Sequence, residues 1–350
     1  MTIKRQIQHG VWFLVAASLV WGGFSLQVEA KDKPLKLTYA FFAPAGTFPG
    51  RQMEHWAKEL EKRTDGLVQV QTFPGGTLLG ARDMYDGVLR GVADIGLGSP
   101  SYDPGRFPLT SGISLPVKFS NATVASLALL EIMNEFKPAE YKPFKIITMF
   151  TNEPGHIMSR SSIESLADLK GMKLRAAGTG VPVLKILGAA PVGMPMPQVP
   201  ESVQTGVIDG AMTSREVLKD FKLAELLHHV LEYPTVVVAF AAVMDQKKWD
   251  ALPEKVKKVI DELAREMAIW TGQYHDKENV DDALVWAKRE HNLQTHTLSE
   301  AEAGKWDALL TPMVEDWIKE MEAKGLPAKK FIERLHQIKG KYAQTYRYDN

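Results

Sequence analysis

The sequence predicts an α/β fold of two lobes, with mainly parallel sheets, strands that cross between the lobes, and one long helix spanning both. Three observations carry this. From Leu35 onward, short apolar runs of period two alternate with longer runs of helical period, the mark of crossover units. Removal of an export signal would leave about 320 residues, a length that ordinarily divides into two lobes. Residues 253–291 keep helical periodicity through Val256, Ile260, Leu263, Met267, Trp270, Tyr274, Val280, Leu284 and Ala287. At 1.5 Å per residue such a helix is roughly 55 Å long, more than one lobe requires.

At the N-terminus, Lys4 and Arg5 precede an apolar run from Val11 to Val20, and Val28-Glu-Ala30 offers a cleavage site. Residues 1–30 therefore read as a signal peptide cut after about Ala30. The run is shorter than the roughly 18 to 20 residues of a membrane span. The expected location is the periplasm, in keeping with the absence of cysteine. That absence also excludes disulfides, thiolate metal sites and cysteine nucleophiles. Removing residues 1–30 leaves 40 basic and 41 acidic residues, a balance that argues against nucleic acid or an anionic membrane surface as partner.

The first strand is expected at Leu35 to Phe42, ending in Phe41 and Phe42. A helix from Arg51 to Arg63 follows, with Trp56 and Leu60 inward, then a strand from Leu67 to Phe73, a helix from Ala81 to Arg90 and a strand from Val92 to Leu97. The loop after it carries Ser99, Ser101, Tyr102 and Arg106 at a strand end, where ligands of open α/β sheets gather. A helix from Asn121 to Phe136 and strands at 144–150 and 155–160 come next, and Asn152-Glu-Pro-Gly155 marks a crossing between lobes. The stretch Leu231 to Met244 reads as one strand running back. Helices are expected at 299–323 and from 327 to about 342.

Arg175 is the focal residue. It ends a strand from Met172 to Ala176, and Gly178-Thr-Gly180 turns the chain into a new helix. A planar cation in that place suits a carboxylate, gripped through two parallel hydrogen bonds; a structural ion pair is the plain alternative. Thr213 and Ser214 stand at the end of the strand from Val207 to Met212, beside Arg175 if the sheet is parallel. Met194-Pro-Met196-Pro is an apolar loop at a further strand end. Catalytic motifs are missing: there is no Gly-x-Ser-x-Gly elbow, phosphate loop, dinucleotide fingerprint or His-Glu-x-x-His. His228 and His229 are expected at a helix C-terminus, and Asp209 is expected to tie down a turn. Neither a cofactor nor a metal site is expected.

Six stretches together resemble a known family: Phe73-Pro-Gly-Gly-Thr-Leu-Leu-Gly80, Val88-Leu-Arg-Gly-Val-Ala-Asp-Ile-Gly96, Leu166-Ala-Asp-Leu-Lys-Gly-Met-Lys-Leu-Arg175, Ile186-Leu-Gly-Ala-Ala-Pro191, Val203-Gln-Thr-Gly-Val-Ile-Asp-Gly210 and Met244-Asp-Gln-Lys-Lys-Trp-Asp-Ala-Leu-Pro253. The chain is similar to the DctP-like substrate-binding proteins of tripartite ATP-independent periplasmic (TRAP) transporters. The resemblance implies a periplasmic-binding-protein fold, capture of an organic anion, and delivery to a permease of small and large membrane subunits. It also implies that Arg175 is the carboxylate clamp. By this resemblance, 31–154 and about 242–280 form lobe I, 155–241 and about 281–308 form lobe II, 253–291 bridges them, and 309–350 forms C-terminal helices.

The family pattern is broken at three places. Where acid-sugar binders carry a second arginine, this chain has Gly155 with His156 and Ile157 beside it; Thr213 replaces a frequent asparagine, and Met196 a frequent aromatic. The expected ligand is a monocarboxylate with an apolar or aromatic body, held by Arg175, Thr213, Met196, Ser99, Ser101, Tyr102, Phe42 and His156, in a monomeric protein. A periplasmic lyase or hydrolase using Asp209 or a histidine as base, and a ligand-sensing partner of a membrane receptor, are the alternative functions.

Overall fold

The computed structural model describes residues 33–348; the expected signal peptide at 1–30 lies outside them. The chain enters β1 (Leu35–Phe41) and passes through α1 (Phe48–Arg63) to β2 (Val68–Phe73). Helix α1 starts earlier than expected because Thr47 caps it, its hydroxyl accepting from Gly50 N, and Pro49 fits the first turn. Trp56 and Leu60 are fully buried. Next come α2 (Met84–Leu89), β3 (Ile95–Gly98), α3 (Ala122–Phe136) and β4 (Phe144–Thr151). Asn121 caps α3 through Val124 N. Strand β1 lies between β2 and β3, parallel to both.

The second sheet takes β5 (His156–Ser159), β6 (Lys173–Ala176), then α4 (Gly180–Ile186), β7 (Ala190–Gly193), α5 (Val199–Gln204), β8 (Gly210–Thr213), α6 (Val217–Asp220) and β9 (His229–Leu231). The chain then returns to the first sheet as β10 (Ala239–Asp245). The first sheet has the order β2-β1-β3-β10-β4, and the second β11-β9-β5-β8-β6-β7, where β11 is Gln294–His296. Parallel pairs outnumber antiparallel ones. The antiparallel pairs involve β10 and β5, the two strands that begin where the chain crosses from one sheet to the other.

The expected strand Leu231 to Met244 is broken: Glu232 to Val238 lies in no strand. Pro234 lacks an N–H for a ladder, and the flanking residues bond the other crossing segment instead. Val238 N donates to Asn152 Oδ1 at 2.6 Å, Gly155 N to Val236 O at 2.8 Å, and Thr235 N to Gly155 O at 2.9 Å. The two crossings are thus tied to each other. His228 and His229 also depart from expectation. Lys222 adopts a left-handed conformation before a single 3-10 turn at Leu223–Glu225, so no long helix ends there. His229 instead opens β9, with its Nδ1 2.9 Å from His296 Nε2. Asp209 instead anchors the neighbouring strand, its carboxylate accepting from the N–H of Lys173, the first residue of β6, at 2.8 Å.

Helices α7 (Gln246–Asp250) and α8 (Glu254–Tyr274) follow β10. A π turn over His275–Asn279 joins α8 to α9 (Val280–His291), so the long helix is continuous but offset. α10 (Glu300–Leu310) and α11 (Pro312–Ala323) replace the single helix expected at 299–323; Pro312 lacks the N–H that would continue it. α12 (Ala328–Thr345) runs slightly beyond the expected end. Its Phe331, Leu335 and Ile338 join Trp317 of α11 and the apolar face of α3 in one core against the first sheet. Each sheet has two such cores, so both are covered on both faces. Among the described residues, no helix is long and apolar enough to cross a membrane.

Candidate functional site

Strand β6 runs parallel to β8, with Arg175 opposite Ala211, so the ends of both strands point into the space between the sheets. Arg175 is 1% exposed. Its Nε donates to Met194 O at 2.9 Å, and its Nη2 to the Tyr102 hydroxyl at 3.5 Å. No carboxylate of the described residues forms a salt bridge with it. Burial draws its pKa below the ordinary guanidinium range, and Tyr102 opposes that only in part. A cation held this way is costly in the empty protein and favours an anion beside it.

Tyr102 comes from the other sheet, on the 3-10 turn Pro100–Tyr102 that follows β3. Its hydroxyl oxygen accepts from Met196 N at 3.1 Å as well as from Arg175, which leaves its own proton free to donate. Its ring packs edge-on against Phe42 with centroids 5.4 Å apart. These contacts close one side of a narrow cavity. Phe48, Phe221, Phe240, Val217 and Val238 supply its apolar wall; Thr213, Asn152 and Glu216 supply polar groups.

Five of the eight expected ligand residues thus line one cavity: Phe42, Tyr102, Arg175, Met196 and Thr213. Ser99, Ser101 and His156 do not. Ser101 lines a separate cleft, about 1310 Å³ with its mouth, on the far side of Tyr102. Ser99 is buried with its Oγ unpartnered. His156 opens β5 opposite Thr213, and burial lowers its pKa to about 4, so it is neutral. Phe48, Phe240, Asn152 and Glu216 were not foreseen. Only Asn152 carried a signal, its place in the crossing Asn-Glu-Pro-Gly segment.

Behind the cavity, Arg215 holds Glu153 at 3.0 and 2.8 Å and Glu232 at 3.2 Å. Burial pushes Glu153 up, but the guanidinium more than reverses this and sets its pKa at about 2. Glu216 has no such partner. Burial, with repulsion from Asp220, lifts it well above the usual carboxylate range. The two acids, one held down by its arginine and one pushed up by burial, flank the crossing segments.

A parallel strand end bearing an unneutralised arginine, closed by a tyrosine from the facing sheet, is chemically suited to an anion. The family model for bacterial extracellular solute-binding protein family 7, DctP, matches residues 39–320. The chain belongs to that family. A TRAP periplasmic solute-binding protein of Desulfovibrio salexigens is 43% identical to this DctP-family chain, covering 90% of it and 98% of the relative, with a TM-score of 0.80. It was solved as an open complex, with the C-terminus of a symmetry mate in its ligand-binding site. A TRAP solute-binding protein from Rhodoferax ferrireducens, in complex with copurified benzoate, is 26% identical over 89% of this chain and 99% of that one, TM-score 0.84. A marine metagenome TRAP protein specific for aromatic acid ligands, in complex with 3-hydroxybenzoate, is 29% identical over 88% and 99%, TM-score 0.83. This DctP-family protein is accordingly a solute-binding receptor of the TRAP type and not an enzyme.

Proposed function

We propose that the protein captures an organic monocarboxylate with an apolar, aromatic or branched body between its two lobes and hands it to the small and large membrane subunits of a TRAP permease. It acts as a monomer in the periplasm, after removal of residues 1–30. The observation that carries this reading is the buried, unneutralised guanidinium of Arg175. The ligand carboxylate takes two N–H bonds from Arg175 and one O–H bond from Tyr102. Phe42, Phe48, Phe240 and Met196 then enclose its body, and Thr213 borders the clamp. The wall is mainly apolar, so most of the hydroxyls of a sugar acid would be left unpaired. The benzoate and 3-hydroxybenzoate of the two relatives have the same character, and the C-terminus in the Desulfovibrio site is itself a carboxylate.

A thermal-shift screen of aromatic, branched and sugar acids, run on wild type and Arg175→Ala, tests this. A ligand at 100 times its Kd stabilises the native state by about 2.7 kcal/mol. Aromatic or branched monocarboxylates shift wild type and leave the variant flat. A variant that responds as strongly as wild type refutes the clamp; a response confined to sugar acids refutes the apolar ligand.

A further inference from the structure

Glu216 follows β8 by three residues and forms part of the cavity wall, 3% exposed. Its Oε2 has no hydrogen-bond partner. The Ser214 side chain hydrogen-bonds the carboxyl group, and His275 Nε2, equally unpartnered, lies 3.8 Å from Oε2, too far for a hydrogen bond. The neighbours fix which of them can donate. Asn279 Nδ2 donates to Asp220 Oδ1 at 3.3 Å, which turns Asn279 Oδ1 toward His275 Nδ1 at 3.2 Å. His275 therefore carries its proton on Nδ1 and presents a lone pair at Nε2. Burial keeps that ring neutral, with a pKa of about 4. The same burial, with Asp220 and Glu153 nearby, shifts Glu216 upward, while the Ser214 side chain opposes that in part. A buried carboxyl group thus stands in the wall with one oxygen unbonded.

A ligand held by Arg175 and Tyr102 through its carboxylate presents its body to the rest of this wall. A plain hydrocarbon body would leave Glu216 Oε2 buried against carbon and unpaired. A hydroxyl on the body resolves this, because it can donate to that oxygen. A second carboxylate does not, because it would bring negative charge toward the ionised Glu153 and toward Asp220. We propose that Glu216 is a specificity-determining residue that hydrogen-bonds a hydroxyl group on the ligand body, so that the preferred solute is a hydroxylated aromatic or branched monocarboxylate. This rests on the Arg175 reading above.

Titration calorimetry on the full mature chain tests it, using benzoate with 2-, 3- and 4-hydroxybenzoate, and phenylacetate with mandelate. Wild type binds at least one hydroxy acid about tenfold more tightly than its parent, the value of one neutral hydrogen bond to a buried group. Glu216→Leu brings that ratio to about one, whatever its effect on the parent acid. Glu216→Gln, which retains an acceptor in the same shape, keeps most of the preference. A ratio near one throughout the wild-type panel, or an undiminished ratio in Glu216→Leu, overturns the assignment. Arg175→Met separates the two levels. If parent acids bind wild type in an arginine-dependent way without a hydroxyl preference, Glu216 alone is misassigned. If the acids bind Arg175→Met equally well, or none binds wild type, the clamp or its ligand class fails and the Glu216 proposal falls with it.

Discussion

Gly272→Ala sets helix propensity directly against packing. Glycine inside a helix costs about 1 kcal/mol relative to alanine, so on propensity alone the substitution stabilises α8. The structure predicts the opposite sign. A Cβ at Gly272 would lie 2.5 Å from Thr123 Cα and 2.9 Å from Thr123 N, at the first turn of α3. Those are backbone atoms, fixed by Asp276, which accepts from Ala122 N, Thr123 N and the Thr123 hydroxyl. No flexible side chain can swing away, so the two helices must part. Overpacking of this kind costs about 3 kcal/mol at the upper end of its usual range, which leaves a net loss of about 2 kcal/mol. At about 2.1 cal/mol/K of unfolding entropy per residue, that lowers Tm by about 3 °C. Differential scanning calorimetry of the unliganded protein reads this directly. An unchanged or raised Tm would show that α3 and α8 do not cross at this glycine.

Two further perturbations probe the crossing segments and the contact between lobes. Glu153→Gln strands Arg215 with Glu232 alone and costs about 3 kcal/mol at neutral pH. Because the folded pKa of Glu153 is about 2 against an ordinary 4.5, its contribution is complete above pH 4.5 and is lost as pH falls through 2. The Tm gap between wild type and variant is therefore widest at neutral pH and narrows below 4.5; a gap constant down to pH 2.5 contradicts the pairing. Gly178 has a positive φ of 50°, and a Cβ there would lie 2.9 Å from Ser101 Cβ and Oγ on the facing lobe. Gly178→Ala costs about 1 kcal/mol of backbone strain and, by pushing Ser101 away, weakens ligand binding by more than tenfold. Unaltered affinity by calorimetry would mean that the lobes do not need this contact to enclose the ligand.

The strand and helix alternation of the first lobe was legible because each strand there is a short apolar run bounded by Gly, Pro or Asp, and each helix has a clear inward face. Arg175 was legible for a related reason: period two and the Gly178-Thr-Gly180 turn place it at a strand end without any knowledge of its neighbours. Glu232 to Val238 misled because β-branched residues at 235–238 look like a ladder strand. What they join is the other crossing segment, and only tertiary structure supplies that partner. The same limit hid Glu216 and Phe240. Nothing local distinguishes an acid after a strand from a solvated one, or one strand phenylalanine from the next. Ser101 shares the 3-10 turn of Tyr102 yet lines the neighbouring cleft, whereas His156 lies on β5 opposite Thr213; which way each side chain faces is set by the turn and the sheet, not by proximity in sequence.

The most direct test of the central claim compares the tightest acid found in the screen with its primary amide, measured by calorimetry on wild type and on Arg175→Met. The acid and amide share shape and differ in charge. The account predicts that wild type prefers the acid by about 100-fold or more, the value of charge-assisted bonds to a buried guanidinium. It also predicts that Arg175→Met is at least as stable as wild type without ligand, since an uncompensated buried charge has been removed, and binds acid and amide weakly and alike. An amide that binds wild type as well as the acid, or a variant that keeps the acid preference, would contradict it.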